Sequence, residues 1–467
     1  MTDTPTPSNE KGLGYDGWLV IAVMLSLISI LAAVVGIGFA VRAVKDSDGA
    51  PASVGSSGSK TYEIELGDLY VKPSSIDVAA GSEVILKVTN KGAMQHDLKL
   101  NGDKGTELID PGGSQTVSLG KIDSSAQAWC TVPGHKAAGM ILDIKVAGGA
   151  AASGSATAAG ATADAAGAKI DFSASPPADF KPYDPMLQPA PNGREHTLTL
   201  HATEKEMEIA PGVKQQLWTF NDMVPGPILR GHVGDIFTIT LVNDGKMGHS
   251  IDFHASKVAW NDEMRTIQPG ESLVYQYEAK LAGAFMYHCG TAPALHHIGN
   301  GMFGAIIIDP PNLAPVDHEF VFVQSEFYTG PQGEPGDLTK MQHEAWDAVV
   351  FNGYVSQYQH HPIRVEPGQR VRAWVVDAGP SENSSFHIVG TIFDTVFKEG
   401  SYLLQPDARQ GGSQALDLQP AQGGFVEFTL DEAGLYPMVT HKFANVGKGA
   451  MGFFQAGEVD MAGVGGH

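Results

Sequence analysis

Cysteine is nearly absent: Cys130 and Cys289 are the only two in 467 residues and stand far apart, so a disulfide scaffold is excluded. Positive charge is also scarce. Lys and Arg number 30 against 52 Asp and Glu, a formal net charge of -22, the opposite of the basic footprint that nucleic-acid binding requires. Long apolar runs are missing with one exception, Trp18–Val41, which holds no charged residue and at 1.5 Å per residue is long enough to cross a hydrocarbon core of about 30 Å. It is longer than a signal-peptide core and no clear A-x-A cleavage site follows it, so a single transmembrane helix at 18–41 is expected after a tail at 1–17. Arg42 and Lys45 follow the run, and by the positive-inside rule they lean toward an internal catalytic part. The metal chemistry below argues instead for the extracytoplasmic side of the cell membrane.

What is plentiful is glycine, 56 residues, with 28 prolines and a hydrophobic content of 43%. Many turns and an ordinary apolar fraction suit a β-rich chain of roughly three domains. Two small-residue stretches without apolar periodicity, 42–59 and 147–168, read as tethers. About 20 residues of such chain span roughly 25 Å, so the blocks that the second one joins stay within reach of each other. Between and after the tethers one pattern is written three times: a Gly turn, an alternating strand, a polar turn, and a strand carrying histidine. The copies begin VAAGSEVILKVTNKGAMQHDLKL, LRGHVGDIFTITLVNDGKMGHSIDFH and RVEPGQRVRAWVVDAGPSENSSFHI. Each closes with a related segment: AWCTVPGHKAAGMILDIKV, FMYHCGTAPALHHIGNGMFGAIIID and LYPMVTHKFANVGKGAMGFFQAG. Alternation bounded by Gly and Pro predicts an all-β chain of three Greek-key sandwiches, at 60–146, 169–312 and 313–462.

Copy one presents His96, then Cys130, His135 and Met140 at C-x4-H-x4-M spacing. Two imidazoles, a thiolate and a thioether suit copper that cycles between oxidation states, because the sulfurs hold the reduced ion and the imidazoles the oxidised one. Copy two repeats the set as His249, Cys289, His297 and Met302, and adds Asp252, His254 and His288. Side chains alternate across a strand, so His249 and Cys289 share one side while His254 and His288 share the other. Two metal centres back to back, joined through the His288–Cys289 peptide, follow from that parity. Copy three has no cysteine but offers His387 and His441. By spacing His441 is the third ligand of an open histidine copper site and His387 an acid-base group, with His387 as ligand or core histidine the alternative. Asp252, two residues from a ligand, together with His387 suits delivery of protons to a small oxyanion that loses oxygen as water.

The motifs HSIDFH, YHCGTAPALHHIGNGM, SSFHIVG and VTHKF resemble those of copper-containing nitrite reductases over about 169–462, and residues 60–146 resemble a single cupredoxin. The resemblance implies type 1 copper at His249, Cys289, His297 and Met302, a second type 1 copper at His96, Cys130, His135 and Met140, and type 2 copper at His254, His288 and His441. It implies proton handling by Asp252 and His387, nitrite as substrate, and a homotrimer in which His441 completes a neighbouring subunit's site. The amino-terminal cupredoxin is then expected to pass electrons to the core from a cytochrome or a quinol-oxidising complex. Two departures bear on the sites: His296 stands where an apolar residue often precedes the ligand, and Val389 where isoleucine is common. Rival readings are a membrane-held electron carrier and a laccase-like oxidase, whose trinuclear cluster needs His-x-His pairs that none of the 17 histidines forms. His360, His361 and His467 are expected to be exposed loop histidines, and Met94 and Met247 to be packing.

Overall fold

A computed structural model describes residues 59–147, except 68–69, 93, 133–134 and 137–139, and 167–459, except 407–410. The apolar run at 18–41 lies outside the described residues, and among the described residues no helix is long and apolar enough to cross a membrane.

Strands form where the sequence alternates. Ser82–Asn90 buries every second residue, and Ile236–Asn243 does the same, so each contributes one apolar face to a core. Among the described residues six sheets result, in three pairs. In the first block, a four-stranded sheet built on Ser59–Gly67 and Ser82–Asn90 faces a five-stranded sheet built on Ile141–Ala147 and Ala126–Trp129. The second block pairs a four-stranded sheet built on Glu195–Ala210 and Ile236–Asn243 with another of Leu229–His232, Phe303–Asp309, Gly283–His288 and Asp252–Phe253. The third pairs a six-stranded sheet built on His318–Phe327 and Arg370–Gly379 with a five-stranded one built on Gly434–Thr440 and Met451–Ala456.

The repeat is exact in its ladders. Each block opens with a long parallel pair, Ser59–Gly67 with Ser82–Asn90, Glu195–Ala210 with Ile236–Asn243, and His318–Phe327 with Arg370–Gly379. Each also carries a second parallel pair in its other sheet, such as Leu229–His232 with Phe303–Asp309. The blocks have their own cores, and a further cluster, with Ile307, Val323, Trp374 and Phe425, joins the second to the third. That shared cluster explains why Phe303–Asp309 is buried along its whole length: both of its faces are covered.

Candidate metal centres

A short construction places the first histidine of each set. A buried asparagine ends the strand, Asn90 in one block and Asn243 in the other. Its amide donates to the carbonyls of Met94 and Ile109 at 2.6 and 2.8 Å, or of Met247 and Ile267 at 2.8 and 2.9 Å. Its oxygen accepts from the N–H of Gly92 at 2.9 Å or of Gly245 at 3.0 Å. The loop folds down, and His96 and His249 enter the interior bridged to Ile109 and Ile267. The shared motif Asn-x-Gly-x-Met-x-His was its signal in the sequence. Attention to Met94 and Met247 as packing residues passes over the asparagine that does the folding.

Cys289 follows the strand Gly283–His288, and its N–H donates to Met302 O at 3.1 Å while Met302 N–H donates to His297 O at 3.0 Å. The same two bonds hold Cys130, Met140 and His135, at 3.1 and 3.0 Å. In the first block Cys130 Sγ lies 3.8 Å from His96 Nδ1 and 3.5 Å from His135 Nδ1. In the second, Cys289 Sγ lies 3.3 Å from His297 Nδ1 and accepts from Ser250 N–H at 3.4 Å. His249 Nε2 donates to Glu204 Oε1 at 3.2 Å, which leaves Nδ1, buried and without a hydrogen-bond partner, as the nitrogen available to a metal. Each His–Cys–His group offers ligand atoms all within 4.8 Å of one another, with Met140 or Met302 fully buried beside it. A soft thiolate, two imidazoles and a thioether fit copper as type 1-like sites.

Burial sets the protonation of these groups. It pushes the Cys130 thiol up to about 12, whereas at Cys289 the neighbouring His249 and the Ser250 and Thr291 N–H groups outweigh burial and hold the thiol below its usual range. Burial lowers His297 to about 3, and His135 to about 3 with the charges of His96, His296 and His297 adding to it. Both imidazoles are therefore neutral at ordinary pH, the form that binds metal. Glu204, raised by burial, is held below the usual carboxylate range by His249 and by the N–H of Lys246. Trp218 lies with its ring centroid 4.5 Å from that of His296 and 4.6 Å from that of His297. His296 itself is buried and donates from Nε2 to Gly336 O at 2.9 Å, a structural tie to the third block.

The other side of the cysteine strand carries a second kind of centre. His288 pairs with Asp252 across the ladder, its Nδ1 donates to Cys289 O at 2.9 Å, and its Nε2 lies 2.9 Å from His254 Nε2 and 3.9 Å from Asp252 Oδ2. Asp252, His254 and His288 form a group whose ligand atoms all lie within 4.8 Å, and Asp252 and His254 line a cleft of 410 Å³ with Glu399 and Ala421. Convergent imidazoles with a carboxylate beside them fit a type 2-like copper. His441 is not in this group. Within one chain it stands 5.5 Å, ring to ring, from His387, with its N–H on Ser385 O at 2.7 Å. His387 is held through Nδ1 by the carbonyl of Gln414.

The third block shows what replaces a copper set. Ser385 N–H donates to Thr440 Oγ1 at 3.0 Å where Ser250 N–H meets the Cys289 sulfur, and Ala450 N–H donates to Asn445 O at 3.1 Å where Met302 meets His297. Ser384, Thr440, Asn445 and Ala450 thus occupy the places of His249, Cys289, His297 and Met302, and the pocket has lost every soft ligand.

A family model described as multicopper oxidase matches residues 201–313. The copper-containing nitrite reductase of Neisseria gonorrhoeae is 36% identical over 265 residues, covering 54% of this chain and 66% of that protein, so the chain spans about two thirds of the length of such relatives. Among solved structures, the copper nitrite reductase from Nitrosomonas europaea matches with a TM-score of 0.52 and 34% identity over 56% of this chain and 94% of that one. A Cu-containing nitrite reductase from Thermus scotoductus SA-01 matches with a TM-score of 0.52 and 30% identity, over 56% and 62% of the two chains. Two type 1-like sets, a type 2-like pair fused to one of them through adjacent residues, and this likeness over the core place the chain in the copper-containing nitrite reductase family.

Proposed function

We propose that the chain reduces nitrite to nitric oxide, taking up one electron and two protons and releasing water. The observation that carries this reading is the adjacency of His288 and Cys289. One strand end delivers a thiolate to a buried centre and an imidazole to an open one, and Asp252 is laddered directly against that imidazole. Bound copper would supply the one-electron chemistry. The residues that would hold it are His249, Cys289, His297 and Met302 on the electron-accepting side, and His254 and His288 on the substrate side. Asp252 is within reach of anything bound at the His254–His288 pair, and its carboxyl hands over one proton. His387, with Nδ1 fixed on Gln414 O, presents its other nitrogen for the second.

Two features support completion of the open site by His441 of a neighbouring subunit in a homotrimer. His254 and His288 are joined by no third imidazole of their own chain among the described residues. His441 lies exposed with its ring 5.2 Å from that of Phe443, which is itself 62% exposed in a single chain. The first block serves as a tethered electron donor in this reading, supported by the small-residue stretch 147–168, whose length keeps it within reach of the core. An external cytochrome or quinol-oxidising complex would load it. The uncharged run Trp18–Val41 supports anchorage in the cell membrane with the copper blocks outside.

Anaerobic nitric oxide production from nitrite with a reduced dye tests the activity, using copper-loaded protein beside its His254→Ala variant. Production that falls to background in the variant is the expected result. No nitric oxide from protein holding three coppers per chain would defeat the assignment and favour an electron carrier.

A further inference from the structure

Among the described residues Glu204 is the one carboxylate hydrogen-bonded to a ligand of the core type 1-like set. It extends from the strand Glu195–Ala210, its side chain is only 4% exposed, and its Oε1 accepts from His249 Nε2 at 3.2 Å. The same carboxylate accepts the N–H of Lys246, at 2.8 Å through Oε1 and 2.9 Å through Oε2, which pins the loop between Asn243 and His249. The third block separates these two jobs. Counting along the parallel ladders, where Ala202 pairs with Asn243 and Gln324 with Asp377, the counterpart of Glu204 is Glu326. Glu326 also binds loop N–H groups, those of Ser381 and Glu382, but the histidine position there is Ser384 and no copper set exists. Loop closure is therefore common to both blocks, and the bond to an imidazole belongs to the copper-set block.

We propose that Glu204 is a positioning residue for the core copper: it fixes His249 in the tautomer that offers Nδ1 to the metal, and its buried negative charge favours the oxidised ion and lowers the site's reduction potential. The inference rests on the copper assignment made above but not on nitrite turnover. A carboxylate hydrogen-bonded to a ligating imidazole fixes its ring and raises its basicity, and removal of such a partner weakens metal binding about 10- to 100-fold. A charge that sits next to the ligand in a dry site acts at low effective dielectric, where it is felt most.

Two substitutions divide the effects. Glu204→Gln removes the charge and the second acceptor while one amide oxygen can still accept from both His249 and Lys246; Glu204→Ala removes the anchor as well. Both are made in the full chain carrying Cys130→Ser, so that one thiolate copper remains and its absorption band can be titrated spectroelectrochemically. E204Q is expected to keep its copper and band while the equilibrium shifts about tenfold toward the reduced ion, a rise of about 59 mV for one electron. E204A is expected to bind the thiolate copper about 10- to 100-fold more weakly, with a displaced band. The spin signal of the type 2 copper reports folding independently. A parent-like potential in E204Q overturns the charge role even if E204A fails to fold. A parent-like band and copper affinity in a folded E204A overturn the anchoring role, and would leave Glu204 a loop clamp like Glu326. Nitrite reduction enters none of these readouts, so a failure here is distinguishable from a failure of the reductase reading.

Discussion

At the scale of single residues, the three blocks comment on one another. Asn90 and Asn243 end their strands with an amide that donates twice and accepts once. The third block has Asp377 in that place, fully buried, with Oδ1 accepting from Gly379 N–H at 3.1 Å as the asparagine oxygens do. Its Oδ2, where the amide nitrogen would be, has no hydrogen-bond partner. Burial, with the nearby carboxylates Glu326 and Glu382, drives its pKa well above the usual range and favours the neutral acid. The sign follows: unfolded chains ionise this carboxyl near pH 4 while the folded chain does not, so its contribution is full below that pH and is lost as pH rises toward the folded value, at about 1.4 kcal/mol per unit. Asp377→Asn should accordingly match the parent in stability at pH 4 and exceed it at pH 8, a crossover that denaturant titration at the two values would reveal. Parent stability equal to the variant's at pH 8 would mean that Asp377 is ionised. Copper ligands were legible from residue types and spacing because a metal site needs particular atoms. Asn243 shows in the sequence only as part of the repeated Asn-x-Gly-x-Met-x-His, and Glu204 not at all, because a glutamate on an alternating strand looks like an ordinary surface residue until the fold buries it.

At the scale of elements, the cysteine strand decides the geometry. The pleat alone sends His288 and Cys289 to opposite faces, and the ladder adds Asp252 opposite His288. What parity does not supply is the precision of that strand end, which comes from Tyr287. Its ring is fully buried over Gly304, the cross-strand partner, and its O–H donates to Pro227 O at 2.7 Å. A methyl group on Gly304 would lie 2.3 Å from the Tyr287 ring, so the ring or the strand must shift. Gly304→Ala should cost about 1 to 3 kcal/mol of stability, the usual price of overpacking, and because Tyr287 precedes both ligands it should also perturb the absorption of the core thiolate copper. Unfolding midpoints and spectra of the copper-loaded variant check this together. A lowered midpoint with an unmoved band would show that the ligands are held independently of the ring. The strands themselves were readable from alternation. The fully buried Phe303–Asp309 gives no period and is explained only by the apolar cluster that joins the second and third blocks.

At the scale of the whole molecule, the proposal makes the chain a store of electrons as well as a catalyst. Two type 1-like sets and one type 2-like group hold three one-electron coppers when full. If the first block donates to the core, all three electrons of a fully reduced chain are available to nitrite, and each nitric oxide consumes one. Protein reduced anaerobically, freed of reductant and mixed with excess nitrite should then release three nitric oxide molecules per chain. Cys130→Ser removes only the thiolate of the first block, far in sequence from the core ligands, and should release two while keeping dye-driven turnover. The connection through one chain matters to rate rather than to yield, since it holds the donor at a fixed effective concentration and makes the third equivalent independent of protein dilution. A third equivalent that slows in proportion to dilution would place the transfer between separate molecules. A yield of two from both proteins on the timescale of turnover would show that the first-block set and the core set do not exchange electrons. The core would then need a donor of its own, and the first block would serve a different partner.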